Sequence, residues 1–458
     1  MEKISNKSLG WMAEAIKDKN ITSQQLVKYH LDRIDDINSC LNAVVQVAKE
    51  RALNEAEMAD EKLVQGEVWG PLHGVPVTIK DSIDTAEIIT TGGTEGRESF
   101  VPDRDATVVK RLRQAGAIII GKTNTPELTL EYETVNKIYG RTNNPYDISK
   151  SPGGSSGGAA SIVAAGGSPL DIGSDTAGSI RLPAHFCGIA GLKPTNGRVP
   201  GTGTIIPPGS GIIDDLTQLG PLARYVDDLA MTFPIIAGVD WKDPSIVPVE
   251  IKDYRNIKLD GLKVGFYTDN GIYSPDNSTV KVIEECTGYL SNIGCKVEEV
   301  SPPNIEQTFD LFKSIFAADG WTWKQRLLKR YGTINEFTPR YERSLSGVEF
   351  NKLITRWQEF KSDMISFINE YDILLSPTTA FAAQEHGFST IRSVIPSFSY
   401  TMVHNLTGWP AVVLKGGEDD KGMPIGIQIA SPPWREDLAL AVAKFIEKET
   451  GGWEKPQI

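Results

Sequence analysis

The sequence predicts an α/β fold, an α/β/α sandwich in which a central mixed β-sheet is flanked by helices. Three observations predict it. Val75, Val77 and Ile79 alternate as in a strand, residues 107–115 (TVVKRLRQA) have the spacing of an amphipathic helix stopped by Gly116, and residues 117–121 (AIIIG) read as a buried strand directly after it. Strand patterns return near the C-terminus in YDILLSPTTA and PIGIQIA, so the chain comes back to its sheet. The chain has 458 residues, of which 40% are hydrophobic and 23% charged, which suffices for one large core.

Taken in order, residues 1–64 form a group of N-terminal helices. MEKISNKSLGWMAEAIK has a helical charge pattern. Thr22 followed by Gln25 is a capping-box spacing, ahead of Leu26, Tyr29, Ile34 and Ile37 on one helical face, and a third helix runs from Val47 to Leu63. Residues 65–200 hold the strand–helix–strand core and a glycine-rich centre. The stretch 199–210, at the start of a variable region over 201–370, is loop-like. GLKVGFYTD and CKVEEV read as strands, with a helix over 278–290 between them. Phe309, Phe312 and Phe316 fall at helical spacing with Trp321 and Trp323 beyond, a stripe that suits core packing or the wall of an apolar pocket. Residues 371–458 return to the sheet and end in a helix over 437–449. With no internal repeat, the chain is expected to be a single domain over 1–458.

A net charge of −12 argues against general nucleic-acid binding, which needs clustered Lys and Arg. Cys40, Cys187, Cys286 and Cys295 form no C-x-x-C pair, so neither a disulfide framework nor a zinc site is indicated. There is no signal-peptide pattern and no run long enough to span a membrane, and a cytoplasmic location is expected.

The stretch 149–200 carries the chemistry. Its glycine, alanine and serine content suits a flexible linker, but the apolar run 159–165 and the ordered character of 186–192 suit a site. Ser155 lies in PGGSSGG and Ser179 in DTAGSIR. A serine hydroxyl needs a positioned base to act as a nucleophile. Residues 153–157 match G-x-S-x-G, but the lead-in PYDISKSP is not the apolar strand that a nucleophile elbow requires. Of the five histidines, His73 and His185 sit in structural contexts. The alternative base is a lysine made neutral by burial. Lys80 ends the apolar strand VPVTI, where it is either buried as such a base or paired with Asp81 at the surface.

GPLHGVPVTIKD, SPGGSSGG and GSDTAGSIRLPAHFCGIAGLKPTNGRVP together resemble the amidase signature family of serine hydrolases, and their order and spacing also match. The resemblance extends through KTNTPEL to LLSPTTA, NLTGWPAVV and PIGIQIA. It implies a Ser–cisSer–Lys triad, with Lys80 as base, Ser179 as acyl nucleophile and Ser155 relaying the proton between them. It further implies an oxyanion hole from the N–H groups of Thr176, Ala177, Gly178 and Ser179, and substrate contacts from Ser155 and from Thr129 on the acyl side. Many members have Gly-Gly where this chain has Ala177-Gly178. No metal or cofactor is required by this chemistry. Asp175 is the expected partner of Arg181.

Two functions follow from the resemblance. SFSYTM, LTGWPA and the middle aromatics resemble the fatty-acid-amide-hydrolase-like branch and bacterial amidases. They imply a stand-alone hydrolase of small, apolar amides, anilides, esters or carbamates. Such a chain is expected to be a monomer or homodimer whose partner is a small-molecule amide, with no nucleic acid and no membrane span. The alternative is the glutamine-hydrolysing subunit of a tRNA-dependent amidotransferase. A catalytically dead binding protein is disfavoured by the presence of Lys80, Ser155 and Ser179.

Overall fold

The computed structural model describes residues 4–333 and 343–458. Met1–Lys3, at the start of the first expected helix, lie outside the described residues. Eleven strands form one sheet: β1 (Val44–Val47), β2 (Pro76–Lys80), β3 (Ile118–Thr123), β4 (Leu170–Asp175), β5 (Ala190–Lys193), β6 (Gln218–Ala223), β7 (Lys263–Phe266), β8 (Lys296–Glu299), β9 (Ile373–Pro377), β10 (Ala411–Glu418) and β11 (Pro424–Ala430). Their spatial order is β1-β3-β2-β4-β6-β5-β10-β11-β9-β7-β8. The β3-β2-β4 and β9-β7-β8 neighbours are parallel and the others antiparallel, so the sheet is mixed as predicted. β2, β3 and β4 are buried along their whole length, which is why β2 and β3 read as nearly continuous apolar runs.

The N-terminal helices form as expected. Helix α1 (Leu9–Lys17) starts at the Ser8 cap, and α2 (Ser23–Leu41) starts at the Thr22–Gln25 capping box, with both reciprocal bonds made. The third helix is α3 (Lys49–Val64). The structure differs just before it: Val44–Val47 is a strand paired antiparallel with β3, because sheet pairing outweighs local helical spacing. Helix α4 (Thr107–Gln114) links β2 to β3 and ends before Gly116 at φ +93°.

The glycine-rich centre is packed and ordered. Helix α5 (Gly157–Ala164) is buried at every position. A Cβ at Gly158 would stand 2.7 Å from the Ala43 carbonyl oxygen, so the small residues are there to let backbones touch. Helix α6 (Arg181–Phe186) follows β4 and is likewise wholly buried. The aromatic stripe is core: Phe312 and Trp323 belong to the main hydrophobic cluster, Phe309, Phe316 and Trp321 pack against it, and Phe316 meets Trp323 edge-on at 5.4 Å.

Candidate active site

Lys80 closes β2 and is completely buried. Its Nζ donates to Ser155 Oγ at 2.7 Å, to Ser156 Oγ at 2.9 Å and to Ser174 Oγ at 3.0 Å. Burial pushes the ammonium down to about 7, against the pull of Asp171 and Asp175. Asp81 does not pair with Lys80. Its carboxylate accepts from the Thr91 N–H at 3.1 Å and from the Thr91 hydroxyl, and feels the charge of Lys122.

Ser155 enters through a non-proline cis peptide after Gly154, in a loop with no strand leading into it, and α5 starts two residues later. The Ser156 N–H donates to the Ser179 carbonyl at 3.1 Å, which ties the two serine loops together. Ser174 reaches Lys80 from β4, and the Asp175–Ile180 turn beyond β4 carries Ser179.

That turn is pinned by a buried ion pair. Arg181 meets Asp175 through Nη2–Oδ1 at 2.8 Å and Nε–Oδ2 at 3.0 Å, with both side chains fully buried. Arg181 also donates to the Thr401 carbonyl, Gln428 Oε1 and Asn405 Oδ1. Burial alone would raise the Asp175 carboxyl, but Arg181 and Asn405 hold it well below the usual carboxylate range. Such a pair is costly to break, because removing one partner strands a buried charge.

Among the four amides assigned to the oxyanion hole, the Gly178 N–H donates to Asp175 Oδ1 at 2.8 Å. The other three, of Thr176, Ala177 and Ser179, have no acceptor among the described residues. Gly178 sits at φ +113° with a would-be Cβ against the Thr401 side chain, so only glycine fits there. Ala177 is not in the left-handed region, so its methyl group is accommodated, and its carbonyl accepts from Thr401 Oγ1 at 2.8 Å.

Thr129 lies in a tight turn at φ +62°, a strained value for a β-branched residue, and lines a cavity together with Ser174. The histidines are engaged elsewhere. His73 takes the Trp69 N–H and meets the Ala59 carbonyl, and His185 lies between the Gly426 N–H and the Phe381 carbonyl. Cys187 is a buried free thiol.

Sequence reasoning missed Ser156, Ser174 and Asp171. The one available signal was the position of Ser174, five residues before Ser179 in the same motif. Asp171 is buried, accepts from Thr123 Oγ1 at 3.0 Å, and is raised by burial to about 7.

A buried lysine that can lose its proton, joined to serine hydroxyls beneath a glycine-shaped turn, can activate a serine without a histidine. The chain belongs to the amidase family of enzymes acting on carbon–nitrogen bonds: the family model described as Amidase matches residues 25–440. It is 35% identical to a glutamyl-tRNA(Gln) amidotransferase subunit of Carboxydothermus hydrogenoformans, over 96% of each chain. Among solved structures it is similar to a 6-aminohexanoate cyclic dimer hydrolase, at TM-score 0.87 and 27% identity over 98% of each chain. It is also similar to a peptide amidase bound to chymostatin, at TM-score 0.85 and 27% identity over 99% of each chain.

These relatives correct one expectation. The amidotransferase subunit is by name part of an assembly directed at a tRNA. The expectation of a small-molecule amide as sole partner, with no nucleic acid and a monomeric or homodimeric state, therefore does not stand. Net charge misled it, because overall acidity says nothing about a local contact or about what neighbouring subunits supply. Among the described residues no helix is long and apolar enough to cross a membrane.

Proposed function

We propose that this chain hydrolyses a primary carboxamide, that of glutamine, as the amidase subunit of a tRNA-dependent amidotransferase, with the chain acting as one catalytic unit. The observation that carries the reading is the similarity to a glutamyl-tRNA(Gln) amidotransferase subunit over 96% of both chains.

In this reading neutral Lys80 accepts the Ser155 proton across the 2.7 Å contact, as Ser155 takes the Ser179 proton. Ser179 Oγ attacks the amide carbonyl. The N–H groups of Thr176, Ala177 and Ser179 receive the oxyanion, while that of Gly178 stays with Asp175 and fixes the turn. The proton returns through Ser155 to the leaving nitrogen, the C–N bond breaks, and ammonia departs. Water then enters by the same relay and releases the acid from Ser179. Thr129, which lines the same cavity as Ser174, contacts the acyl side of the substrate.

A second reading, hydrolysis of small-molecule amides, is favoured by the cavity beside Ser174, which exceeds what ammonia needs. The test is ammonia release from glutamine by the protein purified from its own cells with whatever co-purifies. It is run beside acetanilides, an aryl carbamate and the Ser179→Ala and Lys80→Ala variants. Glutamine hydrolysis lost in both variants is expected. Anilide cleavage with glutamine untouched overturns the glutamine reading in favour of the second.

A further inference from the structure

β2 carries Lys80 between β3 and β4, and side chains of those two strands are tied together across it. Thr123 on β3 is the register partner of Lys80. Asp171 on β4 is the partner of Thr78, two residues earlier on the same face of β2. The Thr123 hydroxyl donates to Asp171 Oδ2 at 3.0 Å. A bond between the two flanking strands has to cross β2, and it crosses between Thr78 and Lys80. The same face receives the serines. A Cβ at Gly173, two residues after Asp171, would stand 2.7 Å from Ser156 Oγ, which accepts from Lys80 Nζ at 2.9 Å. Asp171 is fully buried, and its Oδ1 has no partner among the described residues.

Asp171 and Asp175, both on β4, favour the charge on Lys80. Asp175 is committed to the Arg181 guanidinium by two bonds, at 2.8 and 3.0 Å. Asp171 makes no such bond, and it feels Lys80 from β2 and, more weakly, Lys122 from β3. The other elements packed on these strands bring no competing charge. β6 and α5 hold no titratable side chain, and α3 turns alanines inward. The buried His30 of α2 meets the Gly167 carbonyl and is kept neutral by burial. Arg224, beyond β6, is tied to the Val163 and Ser168 carbonyls. Burial raises Asp171 to about 7, so above that value it is ionised.

When neutral Lys80 takes the Ser155 proton it becomes an ammonium in a buried site, where a new charge is costly unless an opposite one stands by. We infer that Asp171 is a positioning residue of the relay: its carboxylate, fixed beneath Lys80 by Thr123, stabilises the ammonium that forms as Ser179 attacks. Asp171 takes no proton itself. The proton moves from Ser155 to Lys80 and returns through Ser155 to the leaving nitrogen. The aspartate thus does for a lysine what the buried aspartate of a Ser-His-Asp centre does for a histidine. This role rests on the Lys80 relay and is independent of the glutamine substrate.

Labelling of Ser179 by a fluorophosphonate tests it, because the probe needs the Ser179 proton removed but needs no amide cleaved. The labelling rate of the full chain is followed from about pH 5 to about pH 10 in the wild type, Asp171→Asn and Thr123→Val, each checked for cooperative melting. The wild-type rate should rise to a plateau through about 7, where Lys80 loses its proton. Without the carboxylate the ammonium is disfavoured. In Asp171→Asn the limb should therefore move down by about one pH unit, while the plateau falls about tenfold. Thr123→Val keeps the charge but takes the donor from Asp171 Oδ2, and should move the limb the same way by less. A limb that stays put in Asp171→Asn, with or without a lower plateau, makes Asp171 merely structural and overturns the role. A limb unmoved in Thr123→Val does the same if Asp171→Asn does not fold. Shifted limbs beside glutamine left uncleaved by the wild type overturn only the glutamine reading.

Discussion

Two fully buried lysines stand on adjacent strands, Lys80 at the end of β2 and Lys122 in β3, where Lys122 lies opposite Ile79. Burial lowers both, to about 7 for Lys80 and about 8 for Lys122. Their acceptors separate them. Lys122 donates to the Ile83 carbonyl and to Thr85 and Thr90 hydroxyls, and the Asp81 carboxylate favours its charge. A carbonyl can only accept, and the Thr85 and Thr90 hydroxyls already donate to the Ile83 and Ile88 carbonyls at 3.2 Å, so Lys122 is held as a donor toward all three. Lys80 meets three serine hydroxyls, each able to reverse and donate to a neutral amine. Buried Lys193 makes the same point: burial also brings it to about 7, yet it donates to the Pro194 carbonyl at 2.9 Å and touches no serine of the centre. A lowered lysine is therefore common in this core, and what singles out Lys80 is a set of reversible partners.

The largest effect separates the two lysines outright. Lys80→Ala should lower kcat/KM by about ten-thousandfold or more while the protein still melts cooperatively. Lys122→Met should do the opposite. It leaves the buried Ile83 carbonyl without its donor, removes the charge that favours ionised Asp81, and costs about 1–3 kcal/mol of stability by denaturant titration, while activity per folded molecule stays within about threefold. Equal losses of activity would erase the distinction.

Ser174→Ala removes one reversible partner and leaves the other two. The hydroxyl accepts from the charged lysine, so its loss disfavours the protonated form. The acid limb of the kcat/KM profile should move down by about one pH unit, the equivalent of one charge-assisted hydrogen bond. A limb that stays put would mean that Ser174 does not act on Lys80. The smallest effect is expected at the oxyanion turn. Ala177→Gly should change kcat by less than about twofold, because the alanine already sits outside the left-handed region and supplies the same N–H, although the gained freedom can cost about 1 kcal/mol in stability.

Much of this was legible in the sequence, for identifiable reasons. Lys80 follows an apolar strand that cannot leave it in water, and the motifs around Ser155 and Ser179 fix their order. The partner expected for Arg181 is Asp175, six residues away across one turn. β4 was not legible: LDIGSD is built from residues depleted in strands, and it is a strand because β2 and β6 pair with it on either side. β6 hides a proline at residue 221, paired with Ile172. With β4 unseen, the inward aim of Ser174 and Asp171 could not be read. The cavity that Thr129 and Ser174 line was out of reach for a different reason. Its walls come from separate loops and strands, and only the folded chain brings them together.

The most direct test of the neutral-lysine centre is the pH dependence of kcat/KM for amide hydrolysis from about pH 5 to about pH 10. Lys80 is lowered to about 7, so the base is protonated and silent below that value and free above it. The expected profile rises tenfold per pH unit below about 7 and levels above it. A profile flat across the whole range would contradict the assignment of Lys80 as the base.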